Sequence, residues 1–215
     1  MIQIFAFGSS SVYGVGAEQG GWVDLLKQKF HQTMFAPQGE GEKYEVYNFA
    51  HAGAPVEFVA EVYPWALEHY GRNGVKVALV SVGGNNSKAE DEPDNFVSTP
   101  EEYSAQMRTL LTGMKEAFDH VLFVGGGYVD ESKTNPKPNP LTGGCSYFSN
   151  ERRAVFDTAL RQVCDDLAVK YIDLDVDETT WVNTYLYEDG LHSNQQGHEL
   201  LAKKVWTELQ PLVCE

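Results

Sequence analysis

Five short apolar runs constrain this chain more than any other feature, because each is followed, at once or within four residues, by Gly or Asp and then by a longer amphipathic stretch. They span Ile2 to Phe7, Tyr44 to Phe49, Val75 to Val82, His120 to Val124 and Val169 to Leu174. All are rich in β-branched and aromatic residues. Near-continuous apolar runs suit strands buried on both faces, as in parallel sheets covered by helices above and below. The alternation therefore predicts an α/β fold around a central, mostly parallel five-stranded sheet.

The intervening stretches supply the helices. Gly21 to His31 carries Trp22, Val23, Leu25, Leu26 and Phe30. Pro55 to Tyr70 begins with a proline, which a first helical turn tolerates. The clearest start is Thr99-Pro100-Glu101-Glu102, with Thr99 as N-cap, Pro100 at the first helical position and Glu102 completing a capping box. Tyr103, Met107, Leu110, Leu111, Met114 and Phe118 then recur at helical spacing. Asn150 to Val169 repeats the pattern through Val155, Ala159, Leu160, Val163 and Leu167. A last helix from near Ser193 or Asn194 puts Leu200, Leu201, Val205 and Leu209 on one stripe. All of these stripes are expected in the core.

With 215 residues and no linker separating two sets of strands, the chain is expected to form one domain over residues 1–215. A net charge of −15 argues against nucleic acid or an anionic membrane surface as partner. No stretch approaches the roughly 20 apolar residues of a membrane span. The start Met1-Ile2-Gln3-Ile4-Phe5 lacks a basic region and reads as a strand, so no signal peptide is expected. Cys145, Cys164 and Cys214 are odd in number and widely spaced. They fit neither a disulfide framework nor a zinc site, which points to free thiols in a cytoplasmic setting.

Chemistry-bearing residues gather at element ends. The first run closes on Gly8-Ser9-Ser10-Ser11-Val12-Tyr13-Gly14, a hydroxyl-rich turn. Phe49-Ala50-His51-Ala52-Gly53 follows the second run and Gly83-Gly84-Asn85-Asn86 the third. Asp189-Gly190-Leu191-His192 precedes the last helix. If the first three strands are parallel neighbours, the first three pieces meet at one sheet edge. Nucleophilic acyl transfer needs a hydroxyl, a base to take its proton and an acid to orient the base. It also needs donors for the oxyanion. The backbone N–H of Gly53, the side-chain amide of Asn85 and the N–H of Ser10 are suitable. Each piece alone has a plainer reading; an isolated Asp-x-x-His is more often a simple turn.

In order and spacing the four pieces resemble the SGNH, or GDSL-type, hydrolases. That family's pattern is a Gly-Asp-Ser-x-x-x-Gly turn, a lone Gly, a Gly-x-Asn-Asp element and Asp-x-x-His near the C-terminus. The resemblance runs from Ile2 to about Gly197. It implies a flavodoxin-like, three-layer α/β/α sandwich and ester hydrolysis without metal or organic cofactor. It also implies Ser10 as nucleophile, His192 as general base, Asp189 as its partner, and Ser10, Gly53 and Asn85 as oxyanion donors. Two positions depart from the pattern: Ser9 and Asn86 stand where the family has Asp. Neither belongs to the triad, but two anchors for turn and loop are lost. Ser9 and Ser11 are alternative hydroxyls. Ser10, two residues after Gly8 and four before Gly14, keeps the family spacing.

The other candidates have blander roles. His51 is expected to pack or shape the turn near Gly53, and His31, His69, His120 and His198 to lie on the surface or cap helices. Asp173, Asp175 and Asp177 alternate as in a calcium loop, but the glycine and terminal Glu of an EF-hand are missing, so a solvated loop is expected. The polar stretch Ser87 to Ser98, and Tyr128 to Ser149 with Pro136, Pro138, Pro140 and Gly143-Gly144, follow strand ends where binding loops occur. Phe96, Tyr128, Tyr147, Phe148 and Trp181 could form a sugar platform, though packing is the commoner fate of such residues. The sequence thus predicts a serine esterase for a small-molecule acyl ester, with acetylated carbohydrates among the candidates. Two other functions stay open: a flavodoxin-like module whose serine-rich turn cradles a phosphate or a flavin, and a catalytically inactive ligand-binding relative. The acceptor alcohol or water and the oligomeric state are not set by the sequence.

Overall fold

The computed structural model describes residues 1–35, 43–140 and 143–213; Cys214 lies outside them. In chain order the strands are β1 (Ile2–Gly8), β2 (Tyr44–Asn48), β3 (Val75–Ser81), β4 (Ala89–Glu90), β5 (His120–Val124), β6 (Lys137–Pro138), β7 (Cys145–Tyr147) and β8 (Lys170–Ile172). The helices are α1 (Ser10–Tyr13), α2 (Trp22–Met34), α3 (Val56–Tyr70), α4 (Pro100–Ala117), α5 (Glu131–Thr134), α6 (Asn150–Leu167), α7 (Glu178–Thr180), which runs on into a π-helical turn at Trp181–Tyr185, and α8 (Gln195–Val213).

Five strands form one parallel sheet in the order β2-β1-β3-β5-β8. Every residue of β1 is buried, the result expected of a strand covered on both faces. Its side chains alternate between two cores. Ile4 and Ala6 pack with Leu26 of α2 and Val205 of α8, while Phe5 and Phe7 pack with Met107 of α4 and Leu160 of α6. The second core is aromatic: Phe5, Phe7 and Phe49 stack at 5.7–6.3 Å, and Phe118 meets Phe5 and Phe7 edge-on. Each such side chain contributes roughly 1.5–3 kcal/mol by leaving water. The result is the three-layer α/β/α arrangement expected from the alternation.

Element boundaries shift where local chemistry overrides the apolar pattern. Thr99 and Glu102 form the expected capping box, with bonds of 3.1 and 2.9 Å. Pro55, however, is extended and stands outside α3 as its N-cap. The fourth helix pattern ends at Leu167 rather than Val169, because Ala168 turns left-handed (φ 51°) and the N–H of Val169 donates back to the Cys164 carbonyl. The last strand shortens accordingly. Leu160 and Val163 are buried as expected, but Val155 is 48% exposed and the buried stripe of α6 runs through Phe156 and Cys164 instead. Asn194 caps α8 by accepting the Gly197 N–H at 2.9 Å. No helix of the described residues is long and apolar enough to cross a membrane.

Two features were not foreseen. The stretches Ser87 to Ser98 and Tyr128 to Ser149 are joined in a second, antiparallel sheet of order β4-β7-β6. His198, expected on the surface or as a helix cap, is fully buried and meets the first N–H of α2. Its Nδ1 accepts the Trp22 N–H at 3.3 Å and its Nε2 donates to the Val15 carbonyl at 3.0 Å, so the ring is a neutral strut between α8 and the α1–α2 connection. Burial pushes its pKa down, against the pull of the Val15 carbonyl.

Candidate active site

The serine-rich turn is built from backbone. Gly8, at φ +157°, lies opposite Ser81 in the β1–β3 register, and a Cβ there would stand 2.1 Å from the Ser81 carbonyl oxygen. Only glycine lets the two strands stay that close. The Ser9 N–H donates to the same carbonyl at 3.3 Å, and the chain then reverses into α1, whose first residue is Ser10. Gly14 ends this single turn in the left-handed conformation, with its N–H on the Ser10 carbonyl. The first N–H groups of a helix have no intrahelical acceptor, which leaves that of Ser10 open to the site.

The next two motifs lock together beside it. Residues 51–54 form a tight turn closed by a 3.0 Å bond from the Ala54 N–H to the His51 carbonyl, with Gly53 supplying the positive φ of its third position. The His51 N–H donates to the Gly8 carbonyl, and its ring packs on Phe58, so His51 shapes the turn as expected. Asn85 Nδ2 donates to the Ala54 carbonyl at 3.1 Å, which engages one of its two protons and joins the loop after β3 to the Gly53 turn.

The Asp189–His192 loop is a tight excursion ahead of α8. Its neck closes with a 2.7 Å bond from the Tyr187 N–H to the His192 carbonyl, and Gly190 (φ +76°) makes the bend. His192 Nδ1 lies 2.6 Å from Asp189 Oδ2. The other oxygen, Oδ1, accepts the N–H groups of Leu191 and His192 at 2.9 and 3.0 Å. Burial would raise the Asp189 pKa, but the bonds from the His192 ring and the two N–H groups outweigh it and hold the carboxyl well below the usual range. An ionised Asp189 places the proton on Nδ1 and leaves Nε2 as the acceptor.

Ser10, Asn85 and His192 line a single cavity of about 260 Å³, with Asp189 behind the imidazole. Gly53 does not line this cavity; it sits next to Ala54, whose carbonyl holds the Asn85 side chain. Ser10 Oγ and His192 Nε2 have no hydrogen-bond partner among the described residues. Such bonds commonly tighten only when substrate enters. Among the described residues, no group of three or more His, Cys, Asp or Glu side chains is placed to hold a metal ion.

A family model for GDSL-like lipase/acylhydrolases matches residues 6–200, nearly the whole chain. The chain belongs to this family. It is therefore a GDSL-family esterase, a carboxylic-ester hydrolase. No curated protein sequence matches it significantly. Solved structures share its fold at low identity. A lipase/acylhydrolase from Enterococcus faecalis superposes with a TM-score of 0.74 at 19% identity, covering 99% of this chain and 97% of that one. A psychrotrophic esterase from Pseudoalteromonas sp. gives 0.67 at 15%, covering 99% of each. An acetyl xylan esterase from Geobacillus stearothermophilus gives 0.66 at 15%, covering 96% and 94%.

Against this GDSL-family background the two departures can be placed. Asn86 is fully buried and accepts the Val56 N–H at 3.1 Å, anchoring the start of α3 without a charge. Ser9 occupies the N-cap position of α1 but makes no capping bond with its side chain. Of the five aromatic candidates, Tyr128, Phe148 and Trp181 line the cavity of this esterase. Phe148 and Trp181 are buried, and Tyr128 is 37% exposed. Phe96 lies instead beneath the Arg152 guanidinium at 3.6 Å, and the Tyr147 hydroxyl donates to the Asp91 carbonyl. The three aspartates have structural partners: Asp173 pairs with Arg161, Asp175 with Lys204, and Asp177 caps α7.

Two residues near the site escaped sequence reasoning. Lys137, from β6, donates to the Asp189 carbonyl at 2.7 Å and lies 3.4 Å from its Oδ2. The same segment supports the loop through the Asp130 N–H on the Gly190 carbonyl, with Gly190 pressed so near Lys133 that a Cβ would approach it to 2.7 Å. Arg153, in the first turns of α6, reaches the cavity wall. Neither belongs to a motif, and only the proline-rich character of the Tyr128 to Ser149 stretch hinted at a built loop.

Proposed function

We propose that this GDSL-family acylhydrolase cleaves a small acyl ester through a Ser10–His192–Asp189 triad. The observation that carries this reading is the 2.6 Å bond between Asp189 and His192, with His192 lining the same cavity as Ser10. Asp189 orients the imidazole so that Nε2 takes the Ser10 proton as Oγ attacks the ester carbonyl. The Ser10 N–H and the second Nδ2 proton of Asn85 then donate to the oxyanion, and Gly53 serves it through the turn whose Ala54 carbonyl holds the Asn85 side chain. His192 returns the proton to the departing alcohol, and water releases the acyl group by the same steps in reverse order. No metal or organic cofactor enters this scheme.

A volume of about 260 Å³ suits a short acyl group better than a long chain. The exposed face of Tyr128 offers a surface for a sugar ring, which keeps acetylated carbohydrates among the candidate substrates. The serine-rich turn alone also suits a phosphate cradle, but that reading leaves the Asp189–His192 pair without a task. Ser10→Ala is expected to reduce kcat on a chromogenic acetyl ester by roughly 10⁴-fold or more, with folding retained. A fluorophosphonate probe should label Ser10 in the native protein. Undiminished turnover in Ser10→Ala would remove Ser10 from this role, and failure to label would favour an inactive relative.

A further inference from the structure

The cavity that holds Ser10 and His192 also holds a cation that the triad does not use. Arg153 lines its wall, and its Nη2 donates to the Gly127 carbonyl at 2.7 Å. Its Nε and Nη1 have no hydrogen-bond partner, and no carboxylate lies within ion-pairing distance of it, among the described residues. The carboxylates nearby are engaged elsewhere. Asp157 accepts from Arg161 Nε at 2.6 Å and from the Tyr171 hydroxyl, and Asp173 pairs with Arg161 Nη2 at 2.7 Å. Arg161 thus has two carboxylates and Arg153 none. A guanidinium carries five donors in a planar fork and stays protonated in proteins, so four donors here are open. Burial lowers its pKa, and the field of Asp157 works in the opposite direction.

Its location relates this cation to the reaction. A Cβ on Gly84 would lie 3.3 Å from Arg153 Nη1, and one on Gly126 would lie 3.1 Å from Nη2. The guanidinium therefore fills the space left by two missing side chains, with Gly84 directly preceding Asn85. We infer that the cavity takes an ester bearing a second, anionic group, a carboxylate that Arg153 engages while the ester carbonyl sits at Ser10. The inference rests on the Ser10–His192 reading above. With a net charge of −15 the chain offers an anion no long-range attraction, and Arg161, which lines the same cavity, is already paired with Asp157 and Asp173, so selection of a carboxylate falls to Arg153.

The carboxylate can belong to the acyl half or to the alcohol half, and two matched pairs of esters separate these sources. The acyl pair is p-nitrophenyl monosuccinate against p-nitrophenyl valerate; the alcohol pair is O-acetyllactate against O-acetyllactamide. We expect wild type to favour the carboxylate by at least about tenfold in kcat/KM in one pair. Arg153→Gln should level that pair, and Arg153→Lys should retain part of the preference, since it keeps the charge but not the fork. Equal rates within both pairs for wild type, or a preference that survives Arg153→Gln, overturns the inference. Should Arg153→Gln fail to fold, inhibition of wild-type p-nitrophenyl acetate hydrolysis decides. Competitive inhibition by succinate but not by succinamide supports the site, and equal effects of the two overturn it. Ser10→Ala keeps the two readings apart: persistent turnover in that variant removes the nucleophile assignment, while succinate selectivity still reports on Arg153.

Discussion

Ser10 is held by its immediate chain neighbours and by the adjacent strand β3, through backbone bonds and the lack of a side chain at Gly8. Asp189 and His192 are held differently. Their loop closes on itself, but it is braced by Lys137, 52 positions earlier, and by the backbone of Asp130. The contrast shows two ways of fixing a side chain. A backbone-built turn needs only a few residues of the right conformational freedom. A side-chain-braced loop needs a separate segment to arrive at the right place, and it exposes its geometry to changes in that segment.

The sharpest way to break the braced side is Asp189→Asn. Loss of the carboxylate should misdirect the imidazole and lower kcat by about 10⁴-fold, measured on a chromogenic acetyl ester. The same variant reports on stability. A carboxyl held below its unfolded value contributes stability above the unfolded pKa of about 3.9, and that contribution is lost as the pH falls toward the folded value. Urea titrations from pH 6 to pH 2 should show a shallower acid loss in Asp189→Asn than in wild type. An equal slope would mean that the bonds to Asp189 add nothing to folding.

Gly8→Ala tests the backbone-built side. The new methyl meets a backbone oxygen that cannot swing away, so we expect a loss of about 3 kcal/mol or more in urea denaturation. If the variant is as stable as wild type, the close approach of β1 to Ser81 is not what shapes the turn. Lys137→Met should have a smaller effect, a fall of about three- to tenfold in kcat with little change in KM, and Lys137→Arg should restore most of it. A loss confined to KM would make Lys137 a substrate contact rather than a brace.

The smallest effect lies outside both regions and serves as their control. Burial pushes the Cys164 thiol up to about 12. A raised folded value means full stability below the unfolded pKa of about 8.5 and loss as the pH climbs from there toward 12. Wild type should weaken over that window more than Cys164→Ala does. Cys164→Ala should not alter the ratio of ester hydrolysis between acetyl and longer acyl substrates.

The sheet and the paired motifs were legible because their signals are local. Thr99 and Glu102 sit three residues apart and cap the helix that their spacing predicts. Misreadings arose where another contact competed. The stripe of α6 runs through Phe156 rather than Val155, since helical rotation distinguishes neighbours only by what they pack against. The imidazole of His198 carries no mark of burial in its flanking residues, yet Trp22 and Val15 complete its two bonds from far along the chain. The second sheet consists of strands two and three residues long, one containing Pro138, too short to leave a period in the sequence.

By itself the sequence determined the layered α/β architecture, the order of the four motifs and the family, because hydrophobic period, caps and obligatory glycines are properties of neighbouring residues. The tertiary structure alone decided that Lys137 reaches Asp189, that Asn85 is tied to the Gly53 turn, and that Arg153 stands in the cavity without a carboxylate. Those outcomes depend on which distant segments pack together, and on which charges are already paired when they meet.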